Sequence, residues 1–323
     1  MTVTGHHEAH VAHPSGGAWG GAHRSNRKAN DRMEESSKPP RHSLKRDTDL
    51  LVEALSYIGK FKNQIVVIKY GGAAMVQETT RMVFARDMVL LQSLGMYPVI
   101  VHGGGAEVSK AMKALGYEAE FVEGLRVTTQ ESLRITEMVL SGTINKDIIA
   151  QLNSQGGNGV GLSGKDGHLI QAKKMEHVNG IDLGYVGEIV KVNTEFIKLL
   201  LENGYLPVIS PIGMGEDGIT YNINADTAAS RIAAALKAQK VIFMTDVDGV
   251  LARGKLVPTL TAKEARQLIA DRVIQGGMLP KVEAMLYSLS NGVQSAHVID
   301  GSDPHAILAE LCTEKGIGTI ITA

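Results

Sequence analysis

Six short segments carry the residue types that hold anions, and most stand where a strand gives way to a loop or helix. Lys69-Tyr70-Gly71-Gly72 closes a β-branched run. Paired glycines let backbone amides approach an anion closely, and the lysine adds a mobile positive charge. His102-Gly103-Gly104-Gly105 joins an apolar run to a helix, and glycines at a helix N-terminus suit a carboxylate or a phosphate. His102 reads as packing beneath that turn, not as a base. Gly124-Leu125-Arg126-Val127-Thr128 offers one guanidinium fork, which fits a carboxylate but is equally the pattern of a surface arginine. In Asn222-Ile223-Asn224-Ala225-Asp226, Asn224 has the character of a helix N-cap, and Asp226 then falls in a first turn that favours negative charge. Thr245-Asp246-Val247-Asp248-Gly249 follows an apolar strand, where parallel sheets bind ligands. Gly276-Gly277-Met278-Leu279-Pro280-Lys281 opens a helix with a lysine in its first turn, an unfavourable place for a cation unless an anion is present.

Two near-matches to nucleotide motifs fail on context. Gly159 to Asp166 fits GxxxxGK, but Asp166 stands where Ser or Thr must reach magnesium, and a strand-like segment follows instead of a helix. It reads as a hairpin turn. Gly213, Gly215 and Gly218 fit GxGxxG, yet the extended Ile219-Thr220-Tyr221 follows where a dinucleotide site needs a helix. The DxDG at Asp246 resembles the start of a calcium loop but lacks the later glutamate.

The elements that must position these segments alternate. Apolar β-branched runs at 65–68, 98–101, 206–209, 241–244, 298–299 and 318–321 read as strands. Helical spacing recurs over 79–94, 106–115, 133–152, 193–202, 225–236, 262–269, 282–289 and 304–311. Alternation of this kind predicts an α/β fold, a three-layer αβα sandwich with a mainly parallel sheet. Glycine-punctuated segments between 156 and 192 predict an antiparallel β-hairpin insertion. Residues 1–48 hold six of the eleven histidines and the only tryptophan, Trp19, without an apolar period; they read as a disordered, solvated tail. Leu51, Ala54, Leu55 and Ile58 then mark a helix that Gly59 ends.

Composition narrows the classes. Lys plus Arg number 33 and Asp plus Glu 34, a net charge of −1, so there is no basic field for nucleic acid or an anionic membrane. The single cysteine excludes an intrachain disulfide and a cysteine-based metal site. No early apolar region suggests a secretory signal, and no apolar run approaches a membrane span. The expectation is a cytoplasmic enzyme or binding protein.

Taken in order, KxGG, HGGG, GxRVT, NxNAD, TDVDG and GGMxxK resemble the amino acid kinase family over residues 49–323. The resemblance is greatest to members that phosphorylate the side-chain carboxylate of N-acetyl-L-glutamate with ATP, Mg²⁺ being carried by the nucleotide. It implies two lobes, an acyl-substrate lobe at 49–237 and a nucleotide lobe at 238–323. It implies catalytic roles for Lys69, Lys281 and Asp226, the aspartate orienting both lysines. Gly104, Gly105, Arg126 and Asn222 would bind the acyl substrate, and Gly71, Gly72, Thr245, Asp246 and Gly249 would bind ATP. The helix over 50–58 and the stretch 305–319 resemble arginine-sensitive hexameric members, which implies an L-arginine site at Tyr57, Glu310 and Gly316. Some members also dock a PII-type signalling protein. A kinase of another carboxylate or of carbamate, or a non-catalytic nitrogen sensor on this fold, would share much of the pattern. The retention of Lys69, Asp226 and Lys281 argues against the sensor.

Overall fold

The computed structural model describes residues 61–313 and 316–323, together with Val52 and Gly59. The histidine-rich tail and nearly all of the helix predicted over 50–58, Tyr57 included, lie outside the described residues.

Sixteen strands occur among the described residues. In chain order they are β1 (Ile65–Tyr70), β2 (Tyr97–His102), β3 (Phe121–Val122), β4 (Leu125–Arg126), β5 (Gly159–Ser163), β6 (Ile170–Lys174), β7 (Gly187–Val192) and β8 (Leu206–Ser210). There follow β9 (Ile212–Met214), β10 (Thr220–Asn222), β11 (Lys240–Thr245), β12 (Leu251–Ala252), β13 (Lys255–Leu256), β14 (Thr259–Thr261), β15 (Ser295–Asp300) and β16 (Thr319–Thr322). The helices are α1 (Glu78–Ser93), α2 (Gly105–Ala114), α3 (Gln130–Glu137), α4 (Asn145–Ser154), α5 (Thr194–Glu202), α6 (Ala225–Leu236), α7 (Ala262–Ala270), α8 (Met278–Ser290) and α9 (Ala306–Cys312). None of them is long and apolar enough to cross a membrane.

Eight strands build the central sheet in the order β14-β16-β15-β11-β1-β2-β8-β5. All neighbours are parallel except β15 and β16. Both faces are buried, and side-chain alternation divides the core between them. Val66, Ile68 and Tyr70 of β1 join α1, α4 and α9 on one face; Val67 joins α6 and α8 on the other. Helices on both sides of a mainly parallel sheet make this an α/β fold of three layers, as the alternation predicts. Lys69 shares the parity of Val67, so the strand aims it at the face where α6 lies.

Two expectations need correction. The segment from 156 is not wholly an antiparallel insertion: β5 joins the central sheet as a parallel edge strand beside β8. Only β6, β7, β9 and β10 form a separate four-stranded sheet, in which β6 pairs antiparallel with β7 and parallel with β9. The GxxxxGK segment accordingly supplies β5 and a short 3-10 turn, Asp166–His168, instead of a hairpin turn. The largely helical stretch expected over 133–152 is present, running without a break from Gln130 to Ser154. Met138–Ile144 is a seven-residue π-helix between α3 and α4, a rare form that recurs beside functional sites.

Candidate active site

Three elements converge on one carboxylate. Asn224 caps α6, its Oδ1 accepting from the Asp226 and Thr227 N–H groups at 2.9 and 3.0 Å. This fixes Asp226 in the first turn at the carboxyl end of β1. Lys69 Nζ lies 3.0 Å from Asp226 Oδ1, and Lys281 Nζ, from the first turn of α8, lies 2.9 Å from Oδ2. Burial by itself raises the Asp226 pKa, but the two ammonium groups outweigh it and hold the carboxyl below its ordinary range. One negative charge therefore faces two positive ones, leaving a net positive charge for an incoming anion.

A cavity of about 610 Å³ opens on one side of this cluster. Its walls include Lys69, Gly71, Gly72, Gly103, Gly104, Gly105, Arg126, Asn222 and Asp226. Gly104 precedes α2 with φ +153°, and a Cβ there would lie 2.2 Å from Ile144 Cδ1 and 2.8 Å from Leu140 Cδ2. The π-helix thus presses against a backbone that only glycine fits. Arg126 is buried, not the surface arginine its pattern also allowed. Its Nη2 donates to the Gly105 carbonyl at 2.9 Å and to Ser109 Oγ at 2.7 Å, and its guanidinium lies over the Phe121 ring. Burial lowers its pKa, yet a guanidinium stays charged across the working range. Its position ties the charged fork to the glycine turn.

His102 is fully buried, with its ring against the Gly103 carbonyl at 2.8 Å and the Asn145 amide at 3.2 Å. Burial drives its pKa down to about 4, so it is a neutral brace under the glycine turn, as its sequence setting suggests.

A second cavity, of about 390 Å³, is lined by Thr245, Asp246, Gly249, Val250, Met278 and Lys281, among others. Asp246 lines both cavities. Gly249 has φ +154°, and a Cβ there would meet Thr319 Oγ1 at 2.6 Å. Gly71 and Gly72, expected with the nucleotide, line the first cavity beside Lys69 instead of this one. Lys69 and Lys281 thereby reach Asp226 from different cavities.

Glu310 and Gly316 lie in a separate cluster. The Glu310 carboxylate is buried, 2.5 Å from His297 Nδ1, and accepts from the Ile317 N–H at 2.8 Å. Burial raises its pKa but the His297 contact and the backbone donors prevail and lower it. His297 Nε2 in turn lies 3.2 Å from Lys240 Nζ and 2.8 Å from Ser295 Oγ. Sequence reading missed His297 and Lys240, which sit on strands otherwise read as core.

The chain is similar to known proteins in sequence and in fold. The sequence pattern described as "Amino acid kinase family" matches residues 64–300. The acetylglutamate kinase of Methanocaldococcus jannaschii is 52% identical over 287 residues, covering 85% of this chain and 95% of that protein. That of Caldanaerobacter subterraneus subsp. tengcongensis is 50% identical over 276 residues, covering 84% and 92%. Among solved structures, N-acetylglutamate synthase from Neisseria gonorrhoeae, complexed with coenzyme A and N-acetyl-glutamate, superposes with a TM-score of 0.77 at 28% identity. The match covers 85% of this chain but 63% of the synthase, so the chain spans less than two thirds of that protein. The same synthase with coenzyme A and L-arginine gives a TM-score of 0.74 at 25% identity, covering 85% and 65%. On the match to 64–300 and these identities, the chain belongs to the amino acid kinase family.

Proposed function

We propose that this protein transfers the γ-phosphoryl group of ATP to the side-chain carboxylate of N-acetyl-L-glutamate, an arginine-biosynthetic step yielding N-acetyl-L-glutamyl 5-phosphate and ADP. The observation that carries this reading is Asp226 holding Lys69 and Lys281 between two cavities that share Asp246. The acceptor carboxylate is already ionised and needs no base; its obstacle is repulsion from the polyphosphate. Catalysis then consists of positioning and charge neutralisation. A carboxylate oxygen forms the new bond to phosphorus as the bond to the ADP oxygen breaks, with the lysine ammonium groups beside the transferring group. Arg126 binds the other carboxylate of the acceptor, with Gly104, Gly105 and Asn222 around it. Thr245, Asp246 and Gly249 form the nucleotide side, and Gly71 and Gly72 offer amides at the junction. Mg²⁺ arriving on ATP would face Asp246, the carboxylate common to both cavities, and would neutralise phosphate charge there. This arrangement supports a division into an acyl lobe at 49–237 and a nucleotide lobe at 238–323.

The same reading includes feedback inhibition by L-arginine at Tyr57, Glu310 and Gly316, in a cytoplasmic homo-hexamer, with a PII-type protein as a further candidate partner. Its support is the resemblance of 50–58 and 305–319 to arginine-sensitive members, and the L-arginine complex of the synthase to which the chain is similar. The substrate assignment is tested by coupled ADP release with N-acetylglutamate, glutamate, aspartate, aminoadipate and carbamate as acceptors. Selective turnover of N-acetylglutamate supports it, and selective turnover of any other acceptor overturns it.

A further inference from the structure

Thr128 is fully buried behind the first cavity, yet it touches two of the residues that face it. Its Oγ1 donates to the Arg126 carbonyl at 2.9 Å and accepts from Asn222 Nδ2 at 3.2 Å. A hydroxyl has one proton, so committing it to Arg126 leaves Thr128 only as an acceptor toward Asn222. The Asn222 amide must then turn its amino group to Thr128 and its oxygen elsewhere. The backbone holds this arrangement from both sides. The Thr128 N–H donates to the Leu183 carbonyl at 2.9 Å, and its carbonyl accepts from the Tyr185 N–H at 2.8 Å. Between these contacts Gly184 has φ +74°, and a Cβ there would lie 2.3 Å from the Thr128 carbonyl oxygen. The Asn222 N–H donates to the Tyr185 carbonyl at 2.9 Å.

We propose that Thr128 is a positioning residue for acceptor recognition. By fixing the amide orientation of Asn222, it presents Asn222 Oδ1 to the cavity as an acceptor for the N–H of a secondary-amide substrate. This inference rests on the reading of the first cavity as the site of an N-acetylated amino acid. Its consequence is selectivity between an amide and the matching ester. Replacing the substrate N–H with an ester oxygen sets two lone-pair atoms against each other, and a site built to receive a donor rejects such an analogue strongly.

The test compares N-acetyl-L-glutamate with 2-acetoxyglutarate in the full-length chain, reading kcat and KM for acceptor and ATP. Thr128→Val, which keeps the shape and loses the hydroxyl, should raise the KM for N-acetylglutamate roughly tenfold, the size of one lost hydrogen bond. The KM for ATP should stay unchanged, and the preference for amide over ester should shrink about as much. Thr128→Ser should restore both. Asn222→Ala should collapse the same preference on its own, and adding Thr128→Val to it should change nothing further. An unchanged amide-to-ester ratio in either Thr128→Val or Asn222→Ala overturns the proposal, as does simple additivity of the two. Failure of the wild-type chain to phosphorylate the amide at all refutes the substrate reading and this proposal with it. Turnover with an unaltered ratio refutes this proposal alone.

Discussion

Asp226 carries one negative charge against two ammonium groups, and that imbalance leaves the cluster net positive toward an incoming anion. The Asn224 cap makes its helix position legible from the residues alone, whereas the ion pairs, which join residues 69, 226 and 281 across three elements, follow only from the family resemblance. A first-turn aspartate is electrostatically comfortable without any lysine, so sequence spacing cannot demand one. Arg126 shows the same limit, since burial decides between ligand and surface residue. Arg126→Lys keeps the charge and loses the planar fork. Calorimetry should therefore show N-acetylglutamate binding weakened at least tenfold more than ATP binding, about 1.4 kcal/mol; equal losses would remove Arg126 from the acyl pocket. His102 yields a pH prediction with a definite sign. Its folded pKa, about 4, lies below the unfolded value near 6.5. As pH falls between those values, the unfolded chain takes up a proton that the folded one refuses, so stability declines. The size is roughly 3 kcal/mol from this group. His102→Gln, which cannot titrate, should lack that share of the loss in urea unfolding at pH 7 and pH 4. Equal losses in variant and parent would contradict the assignment.

At the scale of elements, the strand–helix alternation was readable because a parallel sheet buried on both faces demands continuous β-branched runs. The edge strand β5 was not, and its glycines explain why. A Cβ at Gly161 would lie 1.9 Å from Asn145 Oδ1, and one at Gly164, just past the end of the strand, 2.0 Å from the Ile212 carbonyl. These glycines answer to close tertiary packing, whereas sequence rules attribute clustered glycine to turns. The π-helix was hidden for a related reason: Leu140 and Ile144 keep an apolar face, and the extra residue per turn leaves no compositional mark. Its packing on Gly104 makes a specific prediction. Gly104→Ala should displace the turn or the π-helix, lower stability by about 1–3 kcal/mol in denaturant unfolding, and raise the acceptor KM more than that for ATP. Unchanged stability and KM would mean that the turn tolerates a side chain.

At the scale of the whole molecule, the proposed catalytic and regulatory sites draw on different stretches of the chain. Both cavities are lined by residues between 69 and 281, while the expected arginine site draws on Tyr57 and the segment around Glu310. Deleting residues 1–48 should leave activity and arginine inhibition intact, because that segment lacks an apolar period. Deleting residues 1–60 should give smaller, active, arginine-insensitive particles by light scattering; arginine-sensitive hexamers would contradict the role given to 50–58. The central claim is that phosphoryl passes between the cavities under Lys69 and Lys281, and trapping the acyl phosphate with hydroxylamine tests it most directly. The wild-type chain should form one hydroxamate per ADP. Lys69→Ala and Lys281→Ala should each lower that rate by about 10²-fold or more while still folding and binding N-acetylglutamate. ADP release without hydroxamate, or a lysine variant at the parental rate, would contradict the account.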